Sequence, residues 1–510
     1  MANSDRMNDN NSYSYLLLAG VLGLAIYFAS QALQNLFWHP LSSFPGPKLG
    51  TLTRFYKAYI DGSPSKSFVH ALKEFHGKYG DVVRVGPNEL HFSDPSAYFD
   101  IYNPSNRWDK EETLYHSFGE DRSSFGFLTY KEAKERRDLL ARRFSKKAVH
   151  EVQDIVQEKV EELCASFERN CKTGPINLFY AFRCMSTDVI TYLCFGKSID
   201  AVHAPKHEAP IVKAMDASLA AFVCFKHSPL YKNMIMKCPP NLSKIISPAT
   251  AGLVDLQVLL RKQIEEITND PSELAKLPHS QTVYHELLSP EAYHSGTVPS
   301  SESLYEEAQA LLFGGADTTG TTLMHGSFYI LTLSDVYRRL KAELLQAWPD
   351  LDQPPRLSVL EKLPYLTAVI KESMRMSPGV ASPLPRVVPA AGATISGKFV
   401  PGGTVVEMSS QFVHRNESVF EKPNDFIPDR WMGDNGQRLD KWLVNFSRGP
   451  RQCLGRELAW AELYLCFAHV YRRFDLTIHS SSPKALEFRD CFLPDYIGPH
   501  LRADLSPVAA

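Results

Sequence analysis

Nine cysteines are scattered through the 510 residues, and no two of them stand in a C-x-x-C spacing. That absence excludes a zinc ribbon, and an odd, dispersed count makes a poor disulfide framework, so reduced thiols are expected. A surplus of either charge is also missing: 55 basic residues face 57 acidic ones, a net charge of −2. Proteins that bind nucleic acid carry a clear basic excess, so no nucleic-acid partner is expected. No internal repeat, low-complexity tract or long charge block interrupts the chain, and no linker divides it after residue 50. What remains is too long for a small cross-linked scaffold and reads as one large domain.

A further absence is local. Between Asp9 and Lys48 there is no Asp, Glu, Lys or Arg. Within that gap, Ser14 to Phe37 reaches the roughly twenty residues that a helix needs to span a bilayer. Ser30, Gln31, Gln34 and Asn35 dilute its end, and Tyr13, Tyr15 and Trp38 suit the two interfaces. A cleaved secretory signal would want a basic start and a small-x-small site, and extreme N-termini seldom supply a buried core helix, so a retained anchor fits best. Lys48, Arg54 and Lys57 follow the span while Arg6 alone precedes it, which places the C-terminal bulk in the cytosol. In His39-Pro-Leu-Ser-Ser-Phe-Pro-Gly-Pro-Lys48, Pro45 and Pro47 bias the backbone toward extended conformations and predict a stiff elbow. The expected division is a polar tail at 1–13, an anchor at 14–37, a Pro-rich elbow at 38–49 and one domain at 50–510.

Helical patterns dominate that domain, around Pro64–Tyr79, Lys131–Phe144, His150–Asn170, Ala251–Thr268, Leu304–Leu333, Asp335–Trp348, Tyr365–Met376 and Leu454–Phe474. Short strand-like runs stand at Val82–Val85, Glu89–Phe92, Thr394–Ile395 and Thr404–Met408. Asn269–Ser303 reads as a surface loop with a short helix. The fold class is mainly α, with a small β-rich region, preceded by one transmembrane helix.

Four features carry chemistry. The first is Phe446-Ser-Arg-Gly449-Pro-Arg451-Gln-Cys453-Leu-Gly455, leading into an apolar helix. A helix N-terminus favours negative charge, so Cys453 is placed to be a thiolate. Gly449 and Gly455 permit a tight turn and close approach by a flat ligand, and Arg451 is able to pair with a carboxylate. A thiolate on haem iron with the arginine on a propionate suits this loop; an isolated cysteine would more often be a buried structural residue. The second feature is Gly314-Gly315-Ala316-Asp317-Thr318-Thr319 inside a long apolar helix, with Ser303 and Glu306 as a candidate capping box. Two helical glycines cost roughly 1 kcal/mol each, and an acid on an apolar surface is also costly. Such violations mark functional sites; a helix stop followed by an Asp cap is the plainer alternative. Third, Glu372 and Arg375 share a helix face at i,i+3, which alone usually means a solvated pair. Fourth, Arg386 is the one charge in the strand-like run Pro385–Pro389.

The decapeptide around Cys453 resembles the F-x-x-G-x-R-x-C-x-G signature of the cytochrome P-450 family at every fixed position, in wording most similar to the fungal microsomal type. The resemblance implies haem b held by Cys453 as the metal ligand, with Phe446, Gly449, Arg451 and Gly455 around it and Arg386 and Arg137 on the haem propionates. It implies that Gly314 and Gly315 open the distal helix, with Asp317 and Thr318 as catalytic proton carriers into a dry pocket. It further implies that Arg430, in Phe426-Ile-Pro-Asp-Arg430-Trp431, joins Glu372 and Arg375 in a buried charge network. One departure stands at Ala133, where relatives carry a Trp or His on a propionate; either that partner is missing or Tyr130 or Lys134 replaces it. Phe118–Phe127, Phe313, Ala316 and Val380–Leu384 are the expected substrate walls. The implied activity is oxygen insertion into a lipophilic small molecule of fungal secondary metabolism: a terpenoid, polyketide or alkaloid. The resemblance also implies NADPH as the electron source through cytochrome P-450 reductase, at the endoplasmic reticulum membrane with the domain facing the cytosol. A dioxygen-independent haem-thiolate isomerase or dehydratase and a non-enzymatic haem- or sterol-binding protein are the rival classes.

Overall fold

The computed structural model describes residues 2–63, 67–270, 272 and 282–508. The longer helices, numbered in chain order, are α1 (Ala2–Leu33), α2 (Phe68–Tyr79), α3 (Tyr130–Arg143), α4 (Gln153–Asn170), α5 (Leu178–Phe195), α6 (Pro210–His227), α7 (Ala251–Asn269), α8 (Ser301–Thr332), α9 (Ser334–Ala347), α10 (Pro364–Met376) and α11 (Arg456–Arg473). The expected helix over Pro64–Tyr79 begins at Phe68 in the described part, and its first three residues lie outside it. Part of the expected Asn269–Ser303 loop also lies outside; Val283–Leu287 is its short helix.

The chain's first surprise is α1, which starts at Ala2, so the polar tail is helical and continuous with the anchor. From Leu16 to Trp38, α1 and the π-helical turn Gln34–Trp38 that continues it carry a mean hydropathy of 2.0 with none of the window buried against the protein, compatible with a single-pass membrane anchor. The elbow that follows is docked. Arg84 N–H donates to the Pro45 carbonyl at 2.8 Å, and Arg84 Nη1 donates to the Asn35 carbonyl at 2.8 Å. A side chain at Gly46 would collide with the Arg84 carbonyl, so glycine is required at this crossing.

Two layers of structure follow. A five-stranded sheet takes β1 (Val82–Gly86), β2 (Glu89–Phe92), β3 (Asp109–Lys110), β5 (Arg386–Val387) and β8 (Val405–Glu407) in the order β1-β2-β8-β5-β3. Its β3–β5 register sets Lys110 opposite Arg386, two bases side by side. The smaller sheets join β4 (Ile176–Asn177), β9 (Phe474–Ile478) and β12 (Arg502–Pro507); β6 (Ala393–Ile395) with β7 (Lys398–Val400); and β10 (Phe488–Cys491) with β11 (Leu493–Tyr496). The four C-terminal strands are absent from the sequence-based map.

The larger layer is helical, with α8 at its centre. Helix α5 lies along α8 more extensively than any other described pair of elements. A Cβ on Gly315 would stand 2.7 Å from Ile190 Cγ1, and one on Gly320 2.7 Å from Arg183 Cγ, so these glycines let the two helices close. Helix α8 stays α-helical through Gly314-Gly315, and neither a stop nor an opening occurs there. Its cap is Ser300, whose side chain accepts from Ser303 N–H at 3.3 Å. The expected Ser303–Glu306 box does not form: Ser303 Oγ donates to the Arg122 carbonyl and Glu306 holds the Arg122 side chain.

Candidate active site

Helix α8 and the loop before α11 face one another across a cavity of about 300 Å³. Gly314, Thr318 and Thr322 come from α8, and Phe446, Arg451, Cys453 and Gly455 from the loop. Helical spacing explains the first set, because residues four apart share a face. Gly314 has nothing within 4 Å of where a Cβ would be, so it leaves a flat surface over the cavity.

The cysteine loop is fixed by its own backbone. Cys453 N–H donates to the Phe446 carbonyl at 2.8 Å. Gly449 has φ +74°, and a Cβ there would stand 2.8 Å from the Asn103 carbonyl, so no other residue fits the turn. Cys453 borders both the cavity and an outer groove and is exposed to them, although protein surrounds the loop on its other sides. Burial pushes its thiol pKa up, while the Gly455 N–H and the charges of Arg137 and Arg456 pull it back.

Around one side of the cavity stand four bases: Lys110, Arg137, Arg386 and Arg451. Arg451 donates to the carbonyls of Phe127 and Thr129, and its Nε is buried with no partner among the described residues. Arg386 Nη1 donates to Tyr115 Oη at 2.6 Å. Arg137 Nη2 donates to the Gln452 carbonyl at 2.5 Å. Lys110 Nζ donates to the Phe125 carbonyl at 2.6 Å and lies over the Tyr115 ring at 3.9 Å. Burial and the neighbouring arginines push Arg451 down to about 10 and Lys110 well below its ordinary value. No carboxylate pairs with any of the four among the described residues. Such a cradle fits a flat group bearing two carboxylates, as haem does with its propionates.

At Ala133 the sequence left a gap, and neither expected substitute fills it. Tyr130 holds Arg107 over its ring, and Lys134 pairs with Asp138; both face the outer groove. Lys110 is the base found at the cavity instead. A lone lysine in a two-residue strand gave no signal until the register beside Arg386 was known.

Two further expectations change. Asp317 does not line the cavity; it is buried against α5 in an ion pair with Arg183, which also holds Asp216 at 3.0 Å. Burial raises its carboxyl pKa, and Arg183 pulls it back. Ala316 faces the core, 1% exposed. Phe313 and Val380 line the cavity. Thr318 does too, with Oγ1 donating to the Gly314 carbonyl at 3.0 Å. Sequence reasoning overlooked Glu462 on α11, a cavity carboxyl whose pKa burial drives well above its ordinary value while Ser186 and Thr319 draw it back.

Beneath the loop lies a closed charge network. Glu372 accepts from Arg375 at 2.7 and 2.8 Å, from Arg430 Nε at 3.1 Å, from Trp431 Nε1 at 2.8 Å and from Ile427 N–H at 2.8 Å. Arg375 spends its remaining donors on the carbonyls of His414, Pro423 and Asp425.

A loop cysteine under a glycine-flattened helix, beside a cradle of unpaired bases, defines a haem-thiolate protein. The cytochrome P450 family profile matches residues 45–494, and the chain belongs to that family. It is 32% identical to cytochrome P450 monooxygenase flvC of Aspergillus flavus, over 94% of each chain. It is likewise 32% identical to cytochrome P450 monooxygenase tpcC of Cochliobolus heterostrophus, covering 89% of this chain and 88% of that one. Tryptophan 6-hydroxylase fscE of Fusarium equiseti is 31% identical over 95% of each.

Proposed function

We propose that this chain is a membrane-anchored monooxygenase that inserts one oxygen atom into a lipophilic small molecule of fungal secondary metabolism, a terpenoid, polyketide or alkaloid. The observation that carries this reading is the opposition of Cys453 and Thr318 across a cavity walled by phenylalanines. Cys453 would hold haem iron, and Arg137, Arg386, Arg451 and Lys110 its carboxylates. When bound, that group supplies the redox chemistry by which dioxygen is activated. The protein's part is to exclude water with Phe118, Phe222 and Phe313, to orient the substrate, and to hold a proton at Thr318 Oγ1.

That hydroxyl is tied back to the Gly314 carbonyl, so it must turn to serve the cavity. Behind it, Asp317 connects through Arg183 to the more exposed Asp216, and must leave Arg183 to pass a proton on. Electrons would come from NADPH through cytochrome P450 reductase, docking near the outer groove beside Arg107, Lys134 and Arg456. The basic residues after α1 favour a catalytic domain on the cytosolic face of the endoplasmic reticulum membrane.

One observation keeps a second reading in view. With Asp317 turned from the cavity, a dioxygen-independent isomerase differs from a monooxygenase mainly at Thr318. NADPH consumption with reductase and a panel of such skeletons, with products weighed by mass spectrometry, separates the two. Product mass raised by one oxygen supports the proposal; isomers formed without NADPH reject it. Thr318→Ala is expected to retain haem and divert electrons to peroxide, measured as peroxide per NADPH. Unchanged product yield removes the proton role.

A further inference from the structure

The apolar end of the cavity is an aromatic box. Phe118 is the hub, with ring centroids 5.7 Å from Phe125, 5.2 Å from Phe222 and 4.7 Å from Phe492, and Phe222 continues to Phe313 at 5.5 Å. The same cavity is lined by a carboxyl group, Glu120, 4% exposed. Its position is fixed: Gln309 Nε2 donates to Glu120 Oε1 at 3.1 Å and to the Phe118 carbonyl at 2.9 Å. Gln309 is itself held, since its Oε1 accepts from Tyr305 Oη at 2.8 Å and Gln257 Nε2 at 3.1 Å.

The neighbouring acids are answered by bases. Glu306 pairs with Arg122 and Glu307 with Arg136, each at 2.9 Å. Glu120 forms no ion pair among the described residues. The field of Glu120 reaches Lys110, but that ammonium is spent on the Phe125 carbonyl and on the Tyr115 and Phe125 rings. Burial, with Glu307, Glu306 and Asp121 nearby, pushes Glu120 up to about 8. A carboxyl in that condition is stabilised by an arriving cation, and aromatic faces attract the same charge.

We propose that the cavity recognises a substrate carrying a basic amine, with the ammonium bound between Glu120 and the ring of Phe118 and the apolar body extending toward Cys453. This rests on the monooxygenase reading and narrows its substrate class. Gln309 and Thr318 are nine residues apart on one helix, so the ammonium sits roughly 13 Å along α8 from the threonine. The carbon attacked is therefore distant from the nitrogen.

The test uses the haem-loaded full chain and a graded series of 1-alkylimidazoles whose tethers end in methyl, hydroxyl or primary amine. The imidazole reports on the iron through the Soret shift, and the tether reaches up the cavity. At one tether length the amine is expected to bind about tenfold more tightly than its methyl counterpart. Glu120→Gln is expected to abolish that preference and leave the methyl series unchanged; Glu120→Asp should keep it with a tether about one methylene longer. An amine with no advantage at any length, or an advantage that survives Glu120→Gln, overturns the proposal. So does a hydroxyl-ended tether that outcompetes the amine. Unsubstituted imidazole separates the two readings: if it shifts the Soret band while no amine is preferred, the amine site fails and the haem site stands. If it gives no shift, both fail.

Discussion

Two groups of basic side chains lie near the cysteine loop, and they are built to opposite plans. In the Glu372 network each guanidinium ends on a carboxylate or a backbone carbonyl. In the cluster of Lys110, Arg137, Arg386 and Arg451, four cations crowd together, with a buried Arg451 Nε left over. The first group is complete within the chain and holds the loop in shape. The second has no carboxylate partner among the described residues and would be completed by the anionic ligand proposed for it. Burial of charge is common to both; whether the counter-charge is part of the chain distinguishes a strut from a socket.

Cys453→Ala tests the comparison most severely. It should abolish the thiolate-type band of the reduced carbon-monoxide complex, since the socket then has nothing on its axial side. Glu372→Ala comes next, because it strands Arg375 and Arg430 as buried charges, a loss of about 3–5 kcal/mol in denaturant unfolding of the haem-loaded protein. Arg451→Met should do the reverse: stability falls by only about 1–2 kcal/mol through two orphaned carbonyls. Haem transfer to apomyoglobin should quicken by roughly ten- to a hundredfold. Lys110→Met is the smallest, with haem transfer several-fold faster and unfolding unchanged or delayed, as an unpaired buried cation gives way to a methionine. Equal stability losses for Glu372→Ala and Lys110→Met would erase the distinction.

The strut's members, Glu372, Arg375 and Arg430, followed from the family resemblance, because an i,i+3 pair alone reads as a solvated one. The socket was half visible. Arg451 was read from the loop itself and Arg386 and Arg137 followed from the family resemblance, whereas Lys110 depends on strand register that no local pattern reveals. Asp317 shows a different limit. Neighbours on a helix point about 100° apart, so Thr318 on the cavity face already implied that Asp317 turns toward α5; a motif read as a string conceals this. The same helix α5 escaped notice because nearly all its residues are buried, leaving no polar face to mark its period. Helices with one wet side, such as α3, α4 and α9, were found within a few residues of their ends.

The docked elbow has a consequence for supply. A second, outer space of about 480 Å³ adjoins the main cavity at Ser382, and its lining mixes Phe55, Phe68 and Phe225 with charged residues such as Lys57, Glu111, Asp121 and Lys232. Since Arg84 grips both the end of the anchor and the elbow, a bilayer holding α1 would keep that mixed rim at a constant attitude. A compound that prefers hydrocarbon to water would then enter from a lipid reservoir, and its partition coefficient would govern turnover as strongly as its fit.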